Sequence, residues 1–300
     1  MSTNERFSGH ESFVCRYGWL PKAYRAVVQD AFLLREEERA MHELGIGRNM
    51  VKSLQFWCEA MGVLVSVPGE GHTPGPVGLK LLDANSGWDP HLESLDSLWL
   101  LHWQLCTQAS LAAWAEVFGE ARLARFDRQR LIAALAKRAE GASRPLAATT
   151  LEQHASIFLQ TYYQQERGGD DTSWCPLQDL ELLRVTSDSD GRTVFSADLR
   201  APVGLSLRVF AIALMAFIGV RQGGSPQAVE FSRLLKAPRS PGAVFRMDEQ
   251  QLRLYVEKLA ELDGSLRFVD TADTQSVVVD PRTLSTDYLL NEADEVLAHA

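Results

Sequence analysis

Between Gly45 and Leu82 the sequence reads Gly-Ile-Gly-Arg-Asn-Met-Val-Lys-Ser-Leu-Gln-Phe-Trp-Cys-Glu-Ala-Met, then a short apolar run, a Pro/Gly-rich turn and a second apolar run. This stretch constrains the fold most. A helix begins after Gly-Ile-Gly, where Gly47 is an acceptable cap residue. Met50, Leu54, Trp57 and Met61 recur at helical spacing and form the expected buried stripe. Arg48, Lys52, Gln55 and Glu59 follow the same spacing on another face, which is expected to be solvated. Val63 to Val67 and Val77 to Leu82 read as two short strands around the turn from Pro68 to Pro76. Helix followed by hairpin is the second half of a winged helix-turn-helix, whose helix lies in a DNA groove.

The flanking sequence completes that unit. Tyr17 to Val28 reads as a first helix with Trp19, Leu20, Ala23, Tyr24 and Val27 on its apolar face. Glu36 to Leu44 reads as a second, with acids at its start, where the helix dipole favours them. The expected division is residues 1–84 as a winged helix-turn-helix, 85–168 as a helical middle domain, and 169–300 as a helical, winged-helix-like C-terminal domain. The chain is thus expected to be mainly α with small β-hairpins. In the middle, Leu98, Leu101, Leu105 and Ala109 form one apolar stripe, and Leu131 to Ala139 and Thr150 to Tyr163 are further helices. Gly168 to Ser173 is the expected junction. Beyond it come a hairpin around Ser187–Gly191, a buried helix from Leu205 to Val220, helices over Ala228–Leu235 and Asp248–Leu262, and a hairpin from Leu266 to Val279. The tail from Leu284 reads as a short amphipathic helix.

Charge narrows the function classes. A net charge of −9 argues against a protein that coats nucleic acid nonspecifically, but leaves room for a local basic face. Two such faces stand out. One is Arg48, Asn49, Lys52, Ser53 and Gln55 on the helix after Gly47, which carries the donors that read phosphates and base edges. His72 and Lys80 in the expected wing add to it. The other is the segment from Arg122 to Arg144, where Arg122, Arg125, Arg128, Arg130, Lys137, Arg138 and Arg144 face only Asp127 and Glu140. From Arg221 onward nine basic residues meet thirteen acids, so the C-terminal part suits protein contacts better than DNA.

Cys15, Cys58, Cys106 and Cys175 match no zinc spacing and read as buried free thiols of a reducing compartment. No secretion signal is visible, and Val209 to Val220 is too short to span a bilayer, so a soluble cytoplasmic protein without membrane contact is expected. The acids occur in runs (Glu36–Glu38, Glu93 with Asp96, Asp188 with Asp190, Asp248 with Glu249) that fit caps and solvated faces and match no metal-nuclease signature. His10 and Glu11, close to Arg16, are weak candidates for activating water or holding a metal. A hydrogen-bonded clasp of the N-terminal segment onto the first helix is the more ordinary reading. His102, between Trp99 and Trp103, reads as a core histidine. No Gly-Lys-Ser/Thr phosphate loop occurs.

At Phe7-Ser-Gly-His-Glu-Ser-Phe13, Arg16-Tyr-Gly-Trp-Leu20, Leu44-Gly-Ile-Gly-Arg-Asn-Met50 and Trp99-Leu-Leu-His-Trp103, the sequence resembles the SspB-like family. This bacterial family is carried as a domain of unknown function and linked to DNA phosphorothioation and phage defence. The resemblance covers nearly the whole chain. It implies a DNA-binding subunit that works with a cysteine desulfurase, an ATPase and an ATP pyrophosphatase-like sulfur transferase. It also implies nicking of DNA that depends on a divalent metal, Mg2+, to open the strand for sulfur insertion. The alternative is a non-catalytic winged-helix adaptor that binds DNA and recruits the sulfur-transfer proteins. The resemblance supplies no catalytic set that maps residue by residue onto this chain, and no metal ligands.

Overall fold

The computed structural model describes residues 5–142, 145–163, 174–219, 224–262, 264–271 and 274–281. Their contacts group the chain into two units: Met1–Glu116 with Leu123–Ala197, and Val117–Arg122 with Asp198–Ala300. The chain is mainly helical, with small antiparallel sheets. The junction expected at Gly168 to Ser173 and the tail helix from Leu284 lie outside the described residues.

In the first unit, Gly18 adopts a left-handed conformation and turns the chain into α1 (Trp19–Gln29), whose expected apolar face is buried. After α2 (Glu37–Leu44), Gly45 caps the helix in the left-handed region that suits glycine. α3 (Arg48–Ala60) follows, with Gly47 as its N-cap. Leu54, Trp57 and Met61 are fully buried. Met50 is only half-buried, while Val51, Phe56 and Cys58 are also inside. More than one stripe is covered because α3 packs against α1, α2 and a hairpin at once.

That hairpin pairs β1 (Leu64–Val67) with β2 (Gly71–Pro74), Val67 lying opposite Gly71. The second strand therefore comes six residues before the expected Val77 to Leu82. Those residues instead form α4 (Pro76–Leu82), because Gly75 supplies an extended N-cap and Pro76 the first helical position, where its missing N–H costs nothing. Gly71 fixes where the hairpin closes. Its φ is +87°, and a Cβ there would lie 2.2 Å from the carbonyl oxygen of Ala31. The same carbonyl accepts the His72 N–H at 2.7 Å, so the hairpin is laced to the loop after α1.

α5 (Leu95–Thr107) starts on a Ser94 side-chain cap and is buried on nearly every side. α6 (Ala112–Trp114) follows it. Next come β3 (Arg125–Phe126), α7 (Arg128–Ala139) capped by Asp127, and α8 (Ala148–Tyr162). A 3-10 turn over Pro176–Leu180 leads to β4 (Arg184–Ser187) and β5 (Thr193–Ser196), which form a sheet of order β3-β5-β4. The middle segment is thus not helical throughout; its two-residue strand β3 was too short to leave a periodic signal. Trp57, Trp99, Trp114 and Tyr162 are among the large buried side chains of the unit. The Trp114 indole N–H donates to the Tyr162 hydroxyl at 2.9 Å, and the same hydroxyl is hydrogen-bonded to His102 Nδ1 at 2.7 Å. His102 is therefore a core histidine with its partner in place.

In the second unit, α9 (Leu207–Ile218) is capped by Ser206 and ends on left-handed Gly219. β6 (Gln227–Glu230) leads into α10 (Phe231–Lys236), so the start of the helix expected from Ala228 is extended; it pairs with a strand near the end of the chain. α11 (Pro241–Val244) precedes α12 (Glu249–Leu262), where Leu252, Val256 and Leu259 are fully buried as the spacing requires. Asp248 and Gln251 cap each other's backbone N–H groups at the start of α12, at 2.8 and 3.0 Å. β7 (Leu266–Asp270) and β8 (Gln275–Val279) close a sheet of order β6-β8-β7. Among the described residues, no helix is long and apolar enough to cross a membrane.

Candidate nucleic-acid interface

The exposed start of α3 is where local chemistry and position meet. Gly45 and Gly47 are exposed, and Gly47 offers no side-chain cap, so the first N–H groups of a 13-residue helix face outward. Arg48 and Asn49 are exposed beside them, and Lys52 follows one turn later. Gln55 is half-buried and donates to Glu59 at 3.0 Å.

Two of the expected contact residues point elsewhere. Ser53 is fully buried; its hydroxyl donates to the carbonyl of Phe13 at 3.2 Å. The Trp57 indole N–H donates to the same carbonyl at 3.0 Å. The inner face of α3 therefore holds the N-terminal segment, and Ser53 belongs to that face. His72 is 1% exposed and lies 3.2 Å from Glu59, whose carboxyl is held below its usual range first by this contact. It ties the hairpin to α3 and does not project from the wing. Lys80 is half-buried on α4, with its ammonium 5.7 Å from the Trp88 ring.

The α3 cations also have an internal partner. Glu37, at the start of α2, lies 3.3 Å from the Arg48 guanidinium and 3.5 Å from the Lys52 ammonium. One carboxylate thus offsets part of two positive charges. One further cation of this region carries no sequence signal. Arg35 is exposed and donates to the carbonyls of Val67 and Gly71, at 2.7 and 3.3 Å, so it brackets the hairpin turn. It ends a three-residue 3-10 turn, Leu33–Arg35, which is too short to leave a periodic signal.

The Arg122 to Arg144 cluster is dispersed by the fold. Arg122 belongs to the second unit and is paired with Glu120 at 2.8 Å. Arg125 is exposed on β3, and Arg128 is exposed at the start of α7, bonded to Ser156 at 2.8 Å. Arg138 is turned inward, its side chain 10% exposed, and bridges Glu5 and Glu116. Arg144 lies outside the described residues.

His10 and Glu11 are separated. Glu11 is exposed with φ +47°, whereas His10 is 2% exposed. His10 stacks on His154 of α8 at 5.6 Å and meets Phe56 of α3 edge-on at 6.0 Å. The clasp therefore fastens the N-terminal segment to α3 and α8 and not to α1. The Ala113 N–H donates to His154 Nε2 at 3.2 Å, which leaves the proton of a neutral ring on Nδ1, facing His10 Nε2 at 3.4 Å. Burial holds both rings neutral: it lowers His10 to about 4, and burial together with the neighbouring His10 lowers His154 to about 3.

A folded-state value below the ordinary 6.5 means that the unfolded chain takes up protons first as pH falls. The pair therefore stabilises the fold above about pH 6.5, and this contribution is lost as pH falls toward 4. We expect stability to drop across that window by up to about 1.4 kcal/mol per pH unit for each ring. Denaturant melts from pH 7 to 4.5 check this; a His154→Gln variant should show a shallower slope, and a slope equal to wild type would refute the assignment.

The four cysteines are buried, and burial pushes the thiols of Cys15, Cys58 and Cys175 up, which makes these three poor nucleophiles. Among the described residues, no group of three or more His, Cys, Asp or Glu side chains is placed to hold a metal ion. The acid pairs serve local structure: Asp188 accepts the N–H groups of Asp190 and Arg192 in a turn, and Asp248 caps α12.

Fold and face together define a class: mainly helical proteins with small antiparallel sheets, here with one helix start left exposed and cationic. The chain belongs to the family described as proteins of unknown function (DUF4007), whose model matches residues 7–293. It is similar to a solved structure, magnesium ion-bound SspB, with 26% identity and a TM-score of 0.83 over 97% of this chain and 88% of that one. A second crystal structure of SspB aligns with 25% identity and a TM-score of 0.84, over 99% and 91% of the two chains. No curated protein matches the sequence.

Proposed function

We propose that this protein is the DNA-binding subunit of a bacterial phosphorothioation system. In this reading α1, α2, α3 and the β1–β2 hairpin act as a winged helix that seats α3 on duplex DNA. The observation that carries the reading is the exposed start of α3, where free N–H groups, Arg48, Asn49 and Lys52 lie together on a helix held rigid by α1, α2 and the hairpin. Phosphates are met by such donors, and base edges by Arg and Asn. The second unit repeats the order of helices and hairpin, and the sequence from Arg221 onward is acidic, which suits it to protein partners such as the cysteine desulfurase, the ATPase and the ATP pyrophosphatase-like subunit. Full-length similarity to SspB supports the system, and the magnesium in one of those crystals keeps metal-dependent nicking in view. The described residues furnish no ligand set for Mg2+, so no reaction step is assigned to them.

Supercoiled plasmid incubated with pure protein tests both parts. Retarded plasmid on a gel supports DNA binding; relaxation with magnesium that stops on chelation adds nicking. Retardation with intact supercoils leaves an adaptor that recruits the sulfur-transfer proteins. No retardation at low salt would remove the DNA reading.

A further inference from the structure

A cavity of about 950 Å³ opens within the first unit, between the N-terminal segment, the start of α7, the end of α8 and the β4–β5 hairpin. Its volume is at the upper end of the range for ligand sites. Three arginines line it, Arg16, Arg128 and Arg192. Among the described residues none of the three is paired with a carboxylate, whereas Arg39, Arg48, Arg122, Arg138 and Arg253 all are. The carboxylate in the lining, Asp127, accepts the Arg130 N–H at 2.7 Å as the cap of α7. Among the described residues the lining thus carries three arginines against one carboxylate, an excess of positive charge around one concavity of an acidic chain.

The apolar part of the lining is aromatic. Tyr163 and Phe195 meet edge-to-face with centroids 5.8 Å apart, and Phe13 lies on another wall, 5.7 Å from the Arg16 guanidinium. Aromatic faces with arginines between them are the chemistry of unpaired nucleotides: bases stack on rings and phosphates meet guanidinium groups. A duplex keeps its bases stacked inside and has no use for such rings.

We propose that this cavity seats nucleotides of a single DNA strand, with a base against the half-buried Tyr163, which Phe195 backs edge-on, and its phosphates on Arg128 and Arg192. The site is distinct from the outer face of α3 but mechanically joined to it. The Phe13 carbonyl is gripped by Ser53 and Trp57, so one wall of the cavity hangs from the inner side of the helix proposed to hold duplex. Glu11 and Ser12, with φ of 47° and 64°, form the sharp corner that delivers Phe13 to this position. A strand opened beside a bound duplex has a place to go. The choice of a DNA strand over a free nucleotide rests on the DNA-binding reading; the existence of the site does not.

The test is fluorescence anisotropy with a short labelled single strand and, separately, a labelled duplex, using full-length protein. Arg128→Ala with Arg192→Ala should weaken strand binding at least about tenfold and flatten its salt dependence by about 0.7 per lost phosphate contact. Tyr163→Ala should weaken it about tenfold with the salt slope unchanged, since stacking carries no counterion release. Duplex affinity should stay within about twofold in both. Arg192→Ala alone, on an exposed turn, covers the case in which the double variant misfolds. Strand affinity within twofold of wild type in all these variants, with wild-type thermal melts, would overturn the proposal. Competition by dAMP as strong as that by the strand would overturn the strand as its occupant in favour of a free nucleotide. Variant-sensitive strand binding without any duplex binding would support the cavity and remove the α3 reading.

Discussion

Replacing Arg138 by alanine is expected to lower the stability of the first unit by about 3–5 kcal/mol, the usual cost of removing one partner from a buried charge cluster. Its guanidinium is held between Glu5, bonded to it by two contacts, and Glu116 at 2.7 Å. Both carboxylate side chains are less than a tenth exposed, at 8% and 7%. Without the arginine, two carboxylates are left facing each other with little water. They then unfold the site or bind protons. At roughly 2–4 °C per kcal/mol for a unit of this size, the melting temperature should fall by about 10 °C. The consequence reaches function, because Glu5 anchors the segment that continues through His10 to Phe13. The companion variant removes the charges together: Arg138→Met with Glu5→Gln and Glu116→Gln should recover most of the loss. A melting temperature for Arg138→Ala within a degree or two of wild type would show that the cluster is solvated in solution.

Charge reversal on α3 is the second large effect. If the helix holds duplex, Arg48→Glu with Lys52→Glu should reduce affinity by at least about a hundredfold at low salt, tenfold per lost contact or ~1.4 kcal/mol each. The slope of log affinity against log salt should shrink by about 0.9 per phosphate lost. Both side chains are more than half exposed, 59% and 52%, so thermal stability should change little. Glu37 supplies a control of opposite sign. As it sits between the two cations, Glu37→Gln should free both and tighten duplex binding several-fold at low salt, an advantage that fades as salt screens the pair. Unchanged affinity in the double reversal, measured by anisotropy on a duplex, would take α3 out of the interface. These effects differ in kind from the first: Arg138 is read by melting, and the α3 residues by salt-dependent binding.

Much of the helical content was legible before any coordinates. α1, α3, α5, α8, α9 and α12 lie within a few residues of their expected spans, and Leu252, Val256 and Leu259 are buried as their spacing required. Caps were legible too: Gly45 and Gly47 bound the α2–α3 turn. Short strands were less so. β3 and β6 have two and four residues, and pair with strands far along the chain, which no local pattern records. The shift of β2 to Gly71–Pro74 has a similar cause, because the close approach of Gly71 to Ala31 sets the register.

The candidate site was legible by residue type and only partly by direction. Arg48, Lys52, Gln55 and Glu59 were placed outward by spacing; Arg48 and Lys52 are exposed, as is Asn49, whereas Gln55 and Glu59 are half-buried. Ser53 sits between outward neighbours in sequence yet reaches Phe13, forty residues away, and His72 reaches Glu59. Residue chemistry and periodicity act over a turn or two of chain, so the sequence by itself determined which segments are helices, which stripes seek the core and how the helix ends are capped. Tertiary structure alone decided which cation meets which carboxylate, which histidines stay neutral, and which three arginines line one cavity. Ion pairing, desolvation and concavity are properties of groups brought together from distant positions, and only the packed fold brings them together.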